Sequence, residues 1–246
     1  GSDRLILFTA QGVISPLTLT ARLLKRDGMF VSELTHVDRS ITGVTPGDTD
    51  AMTPLVSAVP FGDSQAALLV QEGRTSFRTM LFQAGISSLT HEPAQDITFE
   101  AGDLFTQRLD DANALIWLRR PADGYFALRV LHVENGTMTL SAEVSGTGAP
   151  FSVGAAGSQT PAFLPGALPG SLYVVIRDQA SLASFTLQLN GNAITYNSDY
   201  APLGVQGPSP DYPLFVGSAG DGYLVYSALG GTVYGDDVPA FRFVRF

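Results

Sequence analysis

The sequence predicts an all-β protein, an antiparallel β-sandwich, and three observations lead there. Charged residues make up only 15% of the 246 positions, while Gly and Pro occupy 26 and 15 of them. That balance suits short strands joined by many tight turns better than helices rich in Lys and Glu. Hydrophobic residues reach 45%, enough for a sizeable core. Finally, apolar residues alternate on either side of Asn-Gly pairs, the pattern of hairpins with one face buried.

Taken in order, residues 5–9, 17–24 and 29–34 read as strands, although 17–25 also fits a short helix. Residues 38–63 are rich in Thr, Pro, Gly and Asp and read as irregular chain, with one short strand near 55–59. The expected organisation is a single sandwich over 1–246. Within it, 1–62 is either an N-terminal β-extension or a small separate β-unit, and 63–246 forms the core.

Residues 114–120 read as a strand carrying the single tryptophan, Trp117, which on so apolar a strand is expected in the core. The clearest local signal covers 125–144, where Phe126, Leu128 and Val130 alternate before Asn135-Gly136, and Met138, Leu140 and Ala142 alternate after it. A type I′ turn needs positive φ at both central residues, which Asn-Gly supplies. A second hairpin is expected from 171–177 and 184–189, followed by an Asn190-Gly191 turn into 193–196. Closing strands are expected over 214–218, 223–229 and 241–246. No repeat at blade or solenoid period is evident in the residues.

The formal charge of −9, with Lys25 the only lysine, repels phosphate backbones and anionic bilayers. Nucleic acid and membrane surfaces are therefore not expected partners, and no apolar run is long enough to span a bilayer. The absence of cysteine removes disulfides, thiolate catalysis and Cys-based zinc sites.

One stretch carries a family likeness. Ser171-Leu172-Tyr173-Val174-Val175-Ile176-Arg177-Asp178, a variable turn, then Phe185-Thr186-Leu187-Gln188-Leu189-Asn190-Gly191 resembles the central signature of laminin-G-like, concanavalin-A-like jelly-roll domains. In that family a strand ending in Asp is followed by one ending in Asn-Gly. Pro213-Leu214-Phe215-Val216-Gly217-Ser218 and Phe241-Arg242-Phe243-Val244-Arg245-Phe246 are similar to its later core strands. The resemblance covers the second half of the chain and implies two packed antiparallel sheets. It further implies a ligand on the concave face or the loop rim, and in many members calcium at that rim.

Glycoside hydrolases on related jelly rolls hold two carboxylates on one strand face, because nucleophile and general acid flank one bond. No Glu-x-Asp-x-Glu strand occurs here. Glu100 and Asp103 are the nearest pair, and the glycine between them favours a turn. His36, His91 and His132 lie far apart without ligand spacing, and no Gly-x-Ser-x-Gly elbow marks a nucleophile. Asn135-Gly136-Thr137 matches a glycosylation sequon, but its hairpin role accounts for it.

For calcium, Asp221 and the adjacent Asp236 and Asp237 are expected in late loops, and Asp48 and Asp50 in an early one. Acidic turn residues that bond their own backbone are the plainer explanation. Sugar binding needs an aromatic platform beside hydroxyl-bonding groups, and tyrosines concentrate in the last quarter of the chain. The candidate ligand set is Tyr196, Asn197, Asp199, Tyr212, Tyr223 and Tyr234.

The expected function is thus a non-catalytic carbohydrate-binding or adhesion module, extracellular or on a cell surface or virus-like particle, binding a glycan or polysaccharide. Two alternatives stand beside it: a structural virion or phage-like fibre or spike subunit that contacts other subunits, and a jelly-roll glycoside hydrolase.

Overall fold

The structure is a computed structural model that describes residues 3–11, 17–41, 56–73, 75–102, 104–145, 161–166, 170–178, 181–191, 193–196, 201–206, 216–220, 223–233 and 236–245. From residue 201 onward it describes backbone pairing. The protein is all-β and antiparallel. Among the described residues the one helical turn is a 3-10 turn at Pro93–Gln95.

Among the described residues twenty-one strands form five sheets. The first holds β1 (Arg4–Gln11), β2 (Leu17–Asp27) and β3 (Phe30–Ile41). The second holds β4 (Val56–Phe61), β5 (Gln65–Gln71), β6 (Ser76–Ala84), β7 (Leu89–His91) and β8 (Ile97–Glu100). The third holds β9 (Leu104–Arg108), β10 (Asn113–Arg119), β11 (Phe126–Glu134), β12 (Thr137–Leu140) and β13 (Val144–Ser145).

The fourth sheet holds β14 (Ala162–Pro165), β15 (Ser171–Asp178), β16 (Ser181–Asn190), β17 (Ala193–Tyr196) and β18 (Ala201–Gln206). The fifth holds β19 (Val216–Gly220), β20 (Tyr223–Val233) and β21 (Asp236–Arg245). Each described pairing joins strands of one such sequential group.

The middle three sheets repeat one design. Three strands run as a meander, and the third then pairs with two shorter strands in succession along its length: β6 with β7 and β8, β11 with β12 and β13, β16 with β17 and β18. The repeat lies in hydrogen bonding rather than residue identity, which is why the sequence showed no period. Two of the three sheets share an Asn-Gly turn, after β11 and after β16. At the first of these Asn135 has φ 51° and Gly136 φ 77°, the type I′ geometry expected.

Of the expectations for the first sixty residues, the strand reading of 17–24 holds and the irregular reading from residue 38 is corrected. Residues 17–25 are strand, because Leu19, Ala21 and Leu23 alternate as buried residues with Thr18, Thr20 and Arg22 at period two. The stretch read as irregular from residue 38 is strand as far as Ile41, where β3 pairs with Leu17 of β2.

Backbone contacts divide the chain into two compact units, Gly1–Pro121 with Arg129–Ala142, and Ala122–Leu128 with Glu143–Phe246. In the first unit two sheets pack face to face. Leu19, Ala21, Leu23 and Ile41 from the first meet Leu68, Val70, Met80, Phe82 and Leu89 from the second, with Ile6, Phe8, Leu34 and Val37 closing the margin. Phe8 meets Phe82 edge-on, centroids 5.2 Å apart. Full burial of each large side chain contributes about 1.5–3 kcal/mol.

The strands β5 and β10 are apolar between their polar end residues rather than alternating. Residues 66–70 and 114–118 are buried without a break, so these strands are covered on both faces. Trp117 is in the core as expected, 1% exposed.

Candidate functional site

The late aromatic region begins in the fourth sheet of the second unit. Hairpin β15–β16 aligns Ser171 with Gln188 and Asp178 with Ser181. Val174, Val175, Ile176, Ala183, Phe185 and Leu187 are buried. The Tyr173 hydroxyl donates to Ser184 Oγ at 2.6 Å. Gly191 turns the chain at φ 63°, and β17 then runs back along β16, Ile194 opposite Leu189 and Tyr196 opposite Leu187.

Strand alternation puts Tyr196 on the same face as Ile194. Ile194 is 7% exposed, whereas Tyr196, at the strand's end, is 37% exposed. Its ring therefore sits at the rim of a core face, half covering it and half open. Thr195, on the opposite face, donates its hydroxyl to the Gln188 carbonyl at 3.3 Å.

Of the other candidates, Asn197, Asp199, Tyr212, Tyr234 and Asp221 lie outside the described residues, as do Asp48, Asp50 and Asp103. Tyr223 opens β20, and Asp236 and Asp237 open β21. The aspartates were expected in a loop, yet both are ladder residues, opposite Val233 and Thr232. The register also separates them from the tyrosine. Tyr223 faces Arg245 at one end of the hairpin and Asp236 faces Val233 at the other, about 30 Å apart at ~3.3 Å per strand residue. One compact site cannot contain both Tyr223 and this aspartate pair. Among the described residues no group of three or more His, Asp or Glu side chains is placed to hold a metal ion.

The first unit contains a buried histidine network that sequence reading left unmarked. Arg39 of β3 donates Nε–H to His91 Nδ1 at 2.6 Å and an Nη2 hydrogen to the His91 carbonyl at 3.2 Å. Because arginine only donates, Nδ1 is an acceptor, and the ring proton resides on Nε2. Nε2–H then donates to Asp96 Oδ1 at 2.7 Å. Arg78 lies 3.8 Å from Asp96 and 2.8 Å from Glu72, while Phe82 stacks on the imidazole at 4.9 Å.

A His-Asp pair invites comparison with catalytic dyads, but the His91 side chain is only 2% exposed and both ring nitrogens are engaged. Neither nitrogen is left to take a proton from a substrate. The network is a junction between the first two sheets, and Asp96 reaches it because the turn at Pro93–Gln95 breaks the line between β7 and β8. Its only sequence trace is the five-residue spacing from His91 to Asp96.

The other histidines are near the surface. His36 Nδ1 is 2.8 Å from Glu33 Oε1, and Arg22 Nη1 donates to Glu33 Oε2 at 2.5 Å. The arginine bond, then the histidine, hold the Glu33 carboxyl below its ordinary pKa. His132 Nδ1 is 2.8 Å from Asn113 Oδ1. Asp110 caps the turn into β10, accepting from the backbone N–H groups of Ala112 and Asn113 at 2.7 and 2.8 Å. Desolvation works to raise the Asp110 pKa. The hydrogen bonds from the Asn113 side chain and from these two amides outweigh it, and the carboxyl stays below its ordinary value.

No family model matches the sequence, and no curated protein matches it. A similar solved structure is a GH43 glycoside hydrolase whose engineered active site displays both endo-xylanase and exo-arabinofuranosidase activity. Identity is 15% and the TM-score 0.45, and the match covers 100% of this chain and 49% of that one. This chain thus spans about half the length of that structure. Likeness at this level transfers neither substrate nor mechanism.

Proposed function

We propose that this protein is a non-catalytic carbohydrate-binding or adhesion module that meets its ligand at the rim beginning with Tyr196. The observation that carries the reading is the half-open ring of Tyr196. The residue is 37% exposed, while Leu187 opposite it and Ile194 on the same face of its strand are buried. An aromatic face with amide and carboxylate groups beside it fits the apolar face and hydroxyls of a sugar ring, and Asn197 and Asp199 follow directly in sequence.

Residues further along, Tyr212, Tyr223 and Tyr234, are the next candidates for a longer polysaccharide. Asp221, Asp236 and Asp237 are the groups to examine for calcium, although Tyr223 and Asp236 belong to different ends of their hairpin. An extracellular or particle-surface setting is part of the same proposal.

The test is a screen of the full chain against immobilised microbial polysaccharides and glycans, with and without calcium. The reading expects a specific hit that Tyr196→Ala weakens by tenfold or more, about 1.4 kcal/mol. Binding unchanged in Tyr196→Ala would remove this rim from the account. Absence of any hit would overturn the glycan reading.

A further inference from the structure

Every described sheet has two edges, and an unprotected edge offers a row of backbone donors and acceptors to any other strand. Most edges here carry a recognised obstacle. In the second sheet β4 contains Pro60, and β7 is only three residues long. In the third, β12 has four residues, and β9 has five and ends on Arg108. In the fourth, β14 ends on Pro165, β17 has four residues and β18 contains Pro202. In the fifth, β19 is short with two glycines and a register shift, and β21 carries Asp236, Asp237 and Pro239. In the first sheet β3 is studded with Glu33, His36, Asp38 and Arg39.

The strand β1 is the exception. It runs eight residues as Arg4-Leu5-Ile6-Leu7-Phe8-Thr9-Ala10-Gln11 and pairs with β2 in unbroken register from Arg4↔Lys25 to Gln11↔Thr18. It contains no proline, no bulge and no charge beyond Arg4, and Arg4 is tied by Nη1 to the Gly85 carbonyl. Among the described residues β2 is its only strand partner. Two of its outward side chains are large and apolar, Leu5 60% and Leu7 41% exposed, and the third is Thr9, whose hydroxyl donates to the Thr20 carbonyl at 3.4 Å. On the same sheet Val31 is 62% exposed, beside the hairpin tip where Met29 and Phe30 are almost bare. An unbroken eight-residue edge with exposed leucines is costly to leave in water.

We propose that β1 is an association edge, pairing antiparallel with β1 of a second copy of this chain across a two-fold axis. The self-complementarity of the strand chooses this occupant. Antiparallel pairing puts directly opposite residues on the same face, so residue numbers in each pair must sum to an even value. Centred on Leu7, the register sets Leu7 against Leu7 of the second copy, Leu5 against Thr9, Ile6 against Phe8 and Arg4 against Ala10. No like charges oppose one another, although each chain carries net −9. The outer row sets Leu7 against Leu7 and flanks it with Leu5 against Thr9, the inner row continues the partly buried Ile6 and Phe8, and two three-stranded sheets become one of six. This surface lies in the first unit, and the inference is independent of the glycan reading at Tyr196.

Sedimentation equilibrium of the full chain over a concentration series tests the proposal, with Leu7→Lys and Leu7→Glu as variants. Leu7 is 41% exposed, so neither should disturb folding, and circular dichroism checks this. The unsubstituted chain is expected to double its mass with concentration, with concentration-dependent hydrogen-exchange protection confined to residues 4–11. Each variant alone is expected to remain monomeric where the unsubstituted chain dimerises, through Lys–Lys or Glu–Glu opposition at the axis. An equimolar mixture of the two should restore the dimer. A monomeric unsubstituted chain, a dimer that survives both variants, or a mixture that stays monomeric would each overturn it, the last by refuting the Leu7-centred register.

Discussion

Replacing Phe82 by alanine should be among the most damaging single changes in the first unit, and the structure gives its size. The ring is fully buried, meets Phe8 edge-on at 5.2 Å and stacks on His91 at 4.9 Å, linking the two packed sheets. Removing a buried phenylalanine costs about 3–5 kcal/mol through lost transfer energy and an incompletely filled cavity. Each lost aromatic contact adds about 0.5–1.5 kcal/mol within or beyond that figure. An expected loss of about 4 kcal/mol corresponds to roughly 10 °C in Tm.

Urea unfolding followed by fluorescence is the natural assay, since the buried, single Trp117 reports on the same unit as Phe82. Phe82→Leu should lose about 1–2 kcal/mol, keeping most of the volume but neither ring contact. Ile86→Ala, at a position 89% exposed, should stay within about 0.5 kcal/mol of the unsubstituted protein. A Phe82→Ala loss below about 1 kcal/mol would refute the reasoning, because it would mean that the first two sheets do not depend on this contact.

Three further outcomes follow from the same geometry. Arg39→Ala leaves His91 Nδ1 without its donor inside a nearly closed site. It should cost about 1.5–3 kcal/mol in urea titration, with a double-mutant coupling to His91→Ala above about 0.5 kcal/mol. Asp110 has a lowered carboxyl pKa in the folded chain, so its contribution is complete above the unfolded value of 3.8 and is lost as pH falls through the folded value. Asp110→Asn should therefore show a shallower loss of Tm on acidification below that pH, and an unchanged slope would count against the turn's role. Gly136→Ala forces a Cβ onto a residue at φ 77° and should lose about 1 kcal/mol by thermal unfolding, with the Asn135 turn otherwise intact.

Local signals read well wherever one face of a strand is buried and the turn has its own chemistry. Hairpin β11–β12 with Asn135-Gly136, and hairpin β15–β16 with its return through Gly191, were legible for that reason. The same features carry the laminin-G-like likeness, and they are features of any tightly turned meander. Two-sided burial did not by itself hide a strand, since β10 is legible over 114–120 although 114–118 are buried without a break, but it left β5 without a signal. Residues 66–70 are apolar without alternation, so β5 carries no period to distinguish strand from buried helix. The strand β3 was cut short because its outer row of Glu33, His36, Asp38 and Ser40 looks like loop composition. It is in fact a solvated strand face whose charges bond across to Arg22 and Thr20.

The site was less legible than the fold because convergence depends on register. Adjacent aspartates at 236 and 237 read as a loop pair, whereas their ladder partners make them the start of a long strand. His91 looked isolated because Arg39 is 52 residues away and reaches it only through sheet packing. Tyr196 was legible as a tyrosine in a polar setting. Its half-open position follows from the strand ending one residue beyond Thr195, opposite buried Leu187.

The most direct measurement of the central claim takes the polysaccharide that binds best and follows, in one incubation, heat released on titration and reducing ends formed over many hours. A non-catalytic module predicts saturable binding that Tyr196→Ala weakens at least tenfold, with no reducing ends above the protein-free control. Reducing ends that accumulate in proportion to protein concentration would contradict it and show a hydrolase.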